Sequence, residues 1–314
     1  MGAERDLGSG LLFSSRFTHK RVDRAVEDIG FSTASGSEAY IIGNPGIGLA
    51  GKTATDFGFI PLKADRKYSA FEVRLDKRFT KSYYFNANYT FSRLTGNYSG
   101  LASSDEAGRL SPNVNRFFDL PFIGFDGRGK PDNGRLPTDR PHVFKFYGAY
   151  SLDWSRFGFG KNNSTEFSGF TTAESGTPLT TRFTFFNVDN TILNGRGDLG
   201  RTEMYTQTDI GIRHKYRFGN DGRLSMVFDL DILNLFNESN VLAIFENINP
   251  GINVGATAVG ASSTAGAEAL FQKQATKDQI LAFINANGGV DPRYKQATTF
   301  QGGRSVRFGF RLLF

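Results

Sequence analysis

Cysteine is absent from the 314 residues, which excludes a disulfide framework, thiol catalysis and any zinc set that needs thiolate ligands. Histidine is almost as scarce. His19, His142 and His214 stand far apart with no partner at ligand spacing, so no metal site built on histidine is expected. Methionine and tryptophan number three and one, leaving little of the usual helix-core material. No apolar run approaches the roughly 18 residues that a spanning helix requires, so any crossing of a membrane must be made by strands closed into a barrel. Lysine and arginine are scattered singly despite a net charge of +6, and without a basic run the charge does not point to nucleic acid. The opening MGAERDLGSG has two acids and no apolar stretch, hence neither a signal nor a transit peptide.

What is abundant is aromatic: 32 Phe and 11 Tyr, with 37 Gly, a bias towards β-structure. The clearest segment is the last. Val306, Phe308, Phe310, Leu312 and Phe314 alternate with Ser305, Arg307, Gly309, Arg311 and Leu313, a strict period of two. Leu224, Met226, Phe228, Leu230 and Ile232 do the same against Ser225, Val227, Asp229 and Asp231. Phe144, Phe146, Gly148, Tyr150 and Leu152 interleave with Lys145, Tyr147 and Ser151; Tyr83, Phe85, Ala87, Tyr89 and Phe91 interleave with Asn86, Asn88 and Thr90. In these four segments every charge, namely Lys145, Asp229, Asp231, Arg307 and Arg311, lies on the polar side, and these five are the candidate lumen-facing residues. Fainter alternation around residues 11–17, 71–75, 167–173 and 210–218 raises the expected count to eight strands.

The connections alternate in length. Thr80-Lys81, 155–163 and 219–222 are short, while 23–65, 95–139, 186–205 and 237–303 are long. Short turns at one end and long loops at the other characterise outer-membrane barrels, and loops this long are uncommon inside compact soluble domains. The last loop holds an amphipathic stretch, Ala265 to Ala286, expected as a helix over the barrel mouth.

Two phosphate-binding patterns match by letter alone. Residues 46–53 read GIGLAGKT, but the ATDFGFIPLKADRKY that follows lacks the helical period that would aim an N-terminus at phosphates. GRGDLG at 195–200 has no βαβ surroundings, so both are expected to be glycine-rich loop. Asp229 and Asp231 are the nearest thing to a catalytic carboxylate pair, yet on a barrel strand they are better placed to pair with Arg or Lys of adjacent strands. The expectation is a chain that is not an enzyme, with no catalytic residue, cofactor or metal.

Several segments carry a family likeness: TDRPHVFKFYGAY (138–150), SGTPLTT (175–181), TQTDIGIRHKY (206–216), LDILNLFNESNV (230–241) and DPRYKQATTFQGGRSVRFGFRLLF to the end. Together they resemble the carboxyl end of TonB-dependent receptors of the Oar-like group. The resemblance implies an all-β, antiparallel transmembrane barrel of about 22 strands, of which residues 1–314 would be a single C-terminal portion, strands 15 to about 22, with plug domain and signal peptide absent. It implies energy-coupled uptake of a nutrient through the outer membrane of a Gram-negative bacterium. The implied partners are outer-membrane lipid, the plug and N-terminal strands of the same receptor, TonB through that absent plug, and the insertion machinery, which would read Phe314 with Leu312 and Phe310. The loop residues Tyr98, Arg116, Phe117, Phe118, Phe122 and Arg128 are candidate ligand contacts, able to stack on a sugar or peptide. Two other readings stand beside this one: a stand-alone eight-stranded barrel serving as adhesin or anchor, and a soluble β-rich carbohydrate-binding module.

Overall fold

The computed structural model describes residues 1–33, 37–80, 82–98, 118, 120, 122–158, 163–218 and 224–314. Nine long strands form one antiparallel meander in which neighbours in sequence are neighbours in space. They are β1 (Gly2–Gly8), β2 (Leu11–Val22), β3 (Arg66–Thr80), β4 (Tyr83–Gly96), β5 (His142–Asp153), β6 (Asn163–Glu174), β7 (Tyr205–Phe218), β8 (Leu224–Leu233) and β9 (Ser305–Leu313). Eight coincide with the alternating segments of the sequence. The ninth, β1, was not expected, because Glu4, Arg5 and Asp6 break any apolar period; its backbone pairing to β2, from Gly2 opposite Arg16 to Gly8 opposite Leu11, makes it a strand.

The register carries one apolar face unbroken across the sheet. Phe17 stands opposite Phe71, Phe71 opposite Phe91, and Phe91 opposite His142. Further along, Phe167 faces Ile212, Ile212 faces Leu230, and Leu230 faces Phe308. A one-residue slip anywhere would move a whole strand's apolar set to the other side, so this continuity fixes the register. These side chains remain exposed: Phe71 is 48 % accessible, Phe228 46 % and Phe308 83 %. A water-soluble monomer rarely leaves such a continuous apolar surface bare, whereas lipid would cover it. The sheet is not closed; β1 and β9 are its two edges.

The long connections are not irregular. At one end of the sheet they fold together into a cap with its own core, in which Phe122, Phe125, Phe183, Phe185, Phe271 and Ile280 are fully buried. A hairpin (Glu27–Ser32 with Glu38–Gly43) and helix α1 (Gly48–Asp56) form a second cluster around Phe31, Phe59 and Phe118. The helix expected over Ala265–Ala286 is two helices, α2 (Thr264–Lys273) and α3 (Lys277–Ala286), with Gln274 extended between them. The break is tertiary: the Thr276 and Lys277 amides both donate to the Gly127 carbonyl, and any side chain at Gly129 would collide with the Gln274 backbone.

Candidate functional site

The polar face of the sheet opposes the apolar one and is laced by charge. Asp229 accepts from Arg213 Nε at 2.6 Å and from Arg311 Nη2 at 2.8 Å, so one carboxylate ties β7, β8 and β9. Asp231 is the register partner of Arg307. Four of the five residues expected on a lumen wall are thus brought together. Lys145 lies apart on β5, with its Nζ 3.5 Å from Glu174, which also holds Arg140 at 3.3 Å. The other end of the polar face carries Arg16 with Glu72 and Arg74 with Asp76. Such paired charges suit a wet interior and are ill-suited to hydrocarbon.

Above the wall, the cap is stitched by buried ion pairs. Asp139 is its hub: fully buried, it accepts from the Leu94 amide at 2.6 Å at the end of β4, from Arg135 at 3.1 Å, and from Arg201 of the next loop. Asp132 holds Arg196 through two bonds, 2.6 and 2.9 Å, with side chains 2 % and 5 % exposed. Arg182 pairs with Glu246, and Thr181 Oγ1 donates to Asp198 at 2.6 Å. The Asp139–Arg201, Asp132–Arg196 and Arg182–Glu246 pairs each join different connections, so the loops present one shared surface. Removing either partner of such a pair would leave a buried charge uncompensated.

The family-bearing segments now have physical reasons. Asp139 and Arg140 of the DRPH segment are the hub and its neighbour. Asn234, in left-handed conformation (φ 53°), donates to the Glu238 and Gly302 carbonyls, and Asn237 Oδ1 accepts from the Arg304 amide, which ties the Asn-Leu-Phe-Asn turn to the approach of β9. Gln301 reaches the Thr206 carbonyl at 2.7 Å.

The candidate ligand contacts in the loops fare differently. Tyr98, Phe118 and Phe122 are 6 %, 7 % and 0 % exposed and belong to the cap's cores, so their aromatic surface is spent on packing rather than displayed. Burial also raises the Tyr98 hydroxyl above its ordinary value, aided by a hydrogen bond with Glu27. Arg128 is taken up by Asp126 at 2.6 Å. Arg116 and Phe117 lie outside the described residues. Asp132, Arg196 and Arg201, which sequence reasoning passed over, matter more to the cap. Arg196 sits in the GRGDLG turn, where the useful signal was a charged residue between glycines, not the dinucleotide pattern.

The GIGLAGKT segment needs a correction, since α1 does cover its Lys52 and Thr53. That helix begins at Gly48, placing Lys52 in its second turn, where it bonds Asp56 at 2.5 Å instead of standing at the N-terminus. The histidines are separate: His19 meets Ser69, His142 meets Tyr89 and His214 meets Thr165. Phe310 packs on Phe228 at 5.3 Å on the apolar face, Leu312 stands opposite Met226, and Phe314 lies beyond the last pair, fully exposed.

Comparison with known proteins agrees with this geometry. A family model for the outer membrane beta barrel domain matches residues 52–199. The whole chain is 31 % identical, over 322 aligned residues, to the TonB-dependent transporter Oar of Myxococcus xanthus, and it spans 28 % of that protein's length, in the C-terminal part. No solved structure matches. The likeness read from the sequence segments is borne out, as is the antiparallel barrel fold.

Proposed function

We propose that this chain, which carries an outer-membrane β-barrel domain, is the carboxyl-terminal wall of a TonB-dependent transport receptor in a Gram-negative outer membrane. The observation that carries the reading is the continuous apolar face over β2 to β9, backed by a charge-laced polar face. Lipid covers the first; the second lines a lumen. Lys145, Asp229, Asp231, Arg307 and Arg311 are the wall's polar groups, and the chain works as a conduit, without catalysis, cofactor or metal. The capped end faces outward, as the long-loop end does in barrels of this class. Further strands of the same receptor pair with β1 and β9, a plug fills the lumen and contacts TonB, and the insertion machinery reads the segment ending in Phe314.

A stand-alone small barrel is less well supported, because among the described residues β1 and β9 do not pair with each other and the sheet stays open. A soluble module is disfavoured by the bare aromatic face. The test is topological: an epitope placed at Val259–Ala261 should be detected on intact cells, and one at Ser9-Gly10 only after permeabilisation. The reverse pattern would overturn the orientation, and recovery of the protein in the supernatant without detergent would overturn the barrel.

A further inference from the structure

The apolar face gathers charge in one sector. Across β2, β3 and β4 the row Phe17, Phe71, Phe91 is followed, two residues nearer the cap, by His19, Ser69, Arg93, and then by Arg21, Lys67, Thr95. Arg21 and Lys67 are direct register partners, and Arg93 sits diagonally from Lys67. Direct partners in a sheet have Cβ atoms about 5 Å apart and diagonal ones about 7–8 Å apart, so the three cations can close on one phosphate. Arg21 and Arg93 are exposed, and Lys67 keeps 44 % of its side chain accessible.

Two carboxylates accompany them: Asp23 lies 3.1 Å from Arg21 and Asp65 2.8 Å from Lys67. Both acids lie past the strand ends, on the cap side, so along the strands the order is aromatic, cation, carboxylate. The cations therefore offer their membrane-side aspect uncovered by those acids. Within β5 to β9 the last positions of this face before the cap carry no Lys or Arg: His142 on β5, Thr171 and Ala173 on β6, Thr208 and Thr206 on β7, Ile232 on β8 and Val306 on β9. Arg140, which continues the Arg93 row beyond the end of β5, is engaged with Glu174 and the Ser175 carbonyl. A cationic belt serving only general anchoring would recur around the wall; this one is local.

We infer that Arg21, Lys67 and Arg93, with His19, form an outward docking surface for the phosphate headgroup of a membrane lipid, whose acyl chains would lie along Phe17, Phe71 and Phe91. Long cationic side chains at a membrane interface reach to headgroup level, and a cluster of them recognises anionic lipid. The inference rests on the lipid-facing reading of the apolar face. Its test uses the intact protein purified from its own outer membrane and placed in nanodiscs of phosphatidylcholine with or without phosphatidic acid. Retained lipid is counted by native mass spectrometry.

The parent should retain phosphatidic acid at least about tenfold more strongly than phosphatidylcholine. The triple variant Arg21→Gln, Lys67→Gln, Arg93→Gln should lose that preference. Arg21→Lys with Arg93→Lys should keep it, as should Arg5→Gln at the opposite end of the apolar face. Failure of the parent to enter nanodiscs in a heat-modifiable form would overturn the barrel reading. A parent that enters but shows no preference, a triple variant that keeps it, or a preference abolished by millimolar inorganic phosphate would overturn the lipid site alone.

Discussion

Glu268 offers the sharpest test of the cap. It lies on α2 where that helix meets the Glu27–Ser32 strand, with no exposed surface; one carboxyl oxygen accepts from Ser32 Oγ at 2.7 Å and the other has no hydrogen-bond partner among the described residues. The same junction holds Ala265 and Ala269, the Ile60 amide bonded to Gln272 at 2.8 Å, and Lys273 bonded to the Gly58 carbonyl. Burial pushes the carboxyl up from 4.5 to about 7; the Ser32 bond opposes this and the nearby Glu38 charge adds to it. A carboxyl whose value is raised on folding favours the folded cap in its protonated form. Stability is therefore full below the unfolded value, declines between about 4.5 and about 7, and stays at its reduced level above. At 1.36 kcal/mol for each tenfold change in proton affinity, the whole decline is about 3 kcal/mol.

Glu268→Gln keeps the shape and the Ser32 bond but cannot ionise. It should flatten the pH dependence and make the cap about 2–3 kcal/mol more stable than the parent at about pH 8, while changing little near pH 4.5. Limited proteolysis of the hairpin in the detergent-solubilised protein, followed through that pH range, measures it. Equal slopes for parent and variant would refute the buried-acid account.

Replacing Asp139 with Ala should loosen the whole cap, by about 3–5 kcal/mol, because the Leu94 amide, Arg135 and Arg201 lose one buried acceptor together; Asp139→Asn should cost less, and hydrogen exchange at Leu94 reports both. Arg at Leu230 should cost about 2–4 kcal/mol of barrel stability if lipid lies there, whereas Arg at Asp231 should be tolerated; equal costs in refolding titrations would break the face assignment. Deleting Phe314 should lower the amount inserted in cells yet leave refolding in detergent nearly intact, and unchanged insertion would remove the terminal residue from the signal.

Strands β2 to β9 were legible in the sequence because a wall with lipid on one side and water on the other imposes a period of two along its whole length. β1 was not legible, since backbone pairing alone defines it and its alternation is spoiled by Glu4, Arg5 and Asp6. The polar-face charges Asp229, Asp231, Arg307 and Arg311 could be assigned to one face from parity, but not their partners: that Asp229 takes both Arg213 and Arg311 depends on a register no single strand encodes. The cap was missed almost entirely. Phe122, Phe183 and Phe185 stand among Gly, Pro and Thr with no period, and their burial is decided by Phe271, far away in the chain. Reading Phe122 as a ligand contact followed from treating loop aromatics as displayed.

The long separation between the cap's halves also bears on how such a loop surface can change. Ser32 and Glu268 touch across 236 positions, and Asp132 and Arg196 across 64, so no loop reaches its final form until the last has emerged. A surface built this way does not evolve one loop at a time. Grafting a single connection from a relative would import side chains without the neighbours that bury them, and new ligand preference is expected to travel as a co-inherited set of loops.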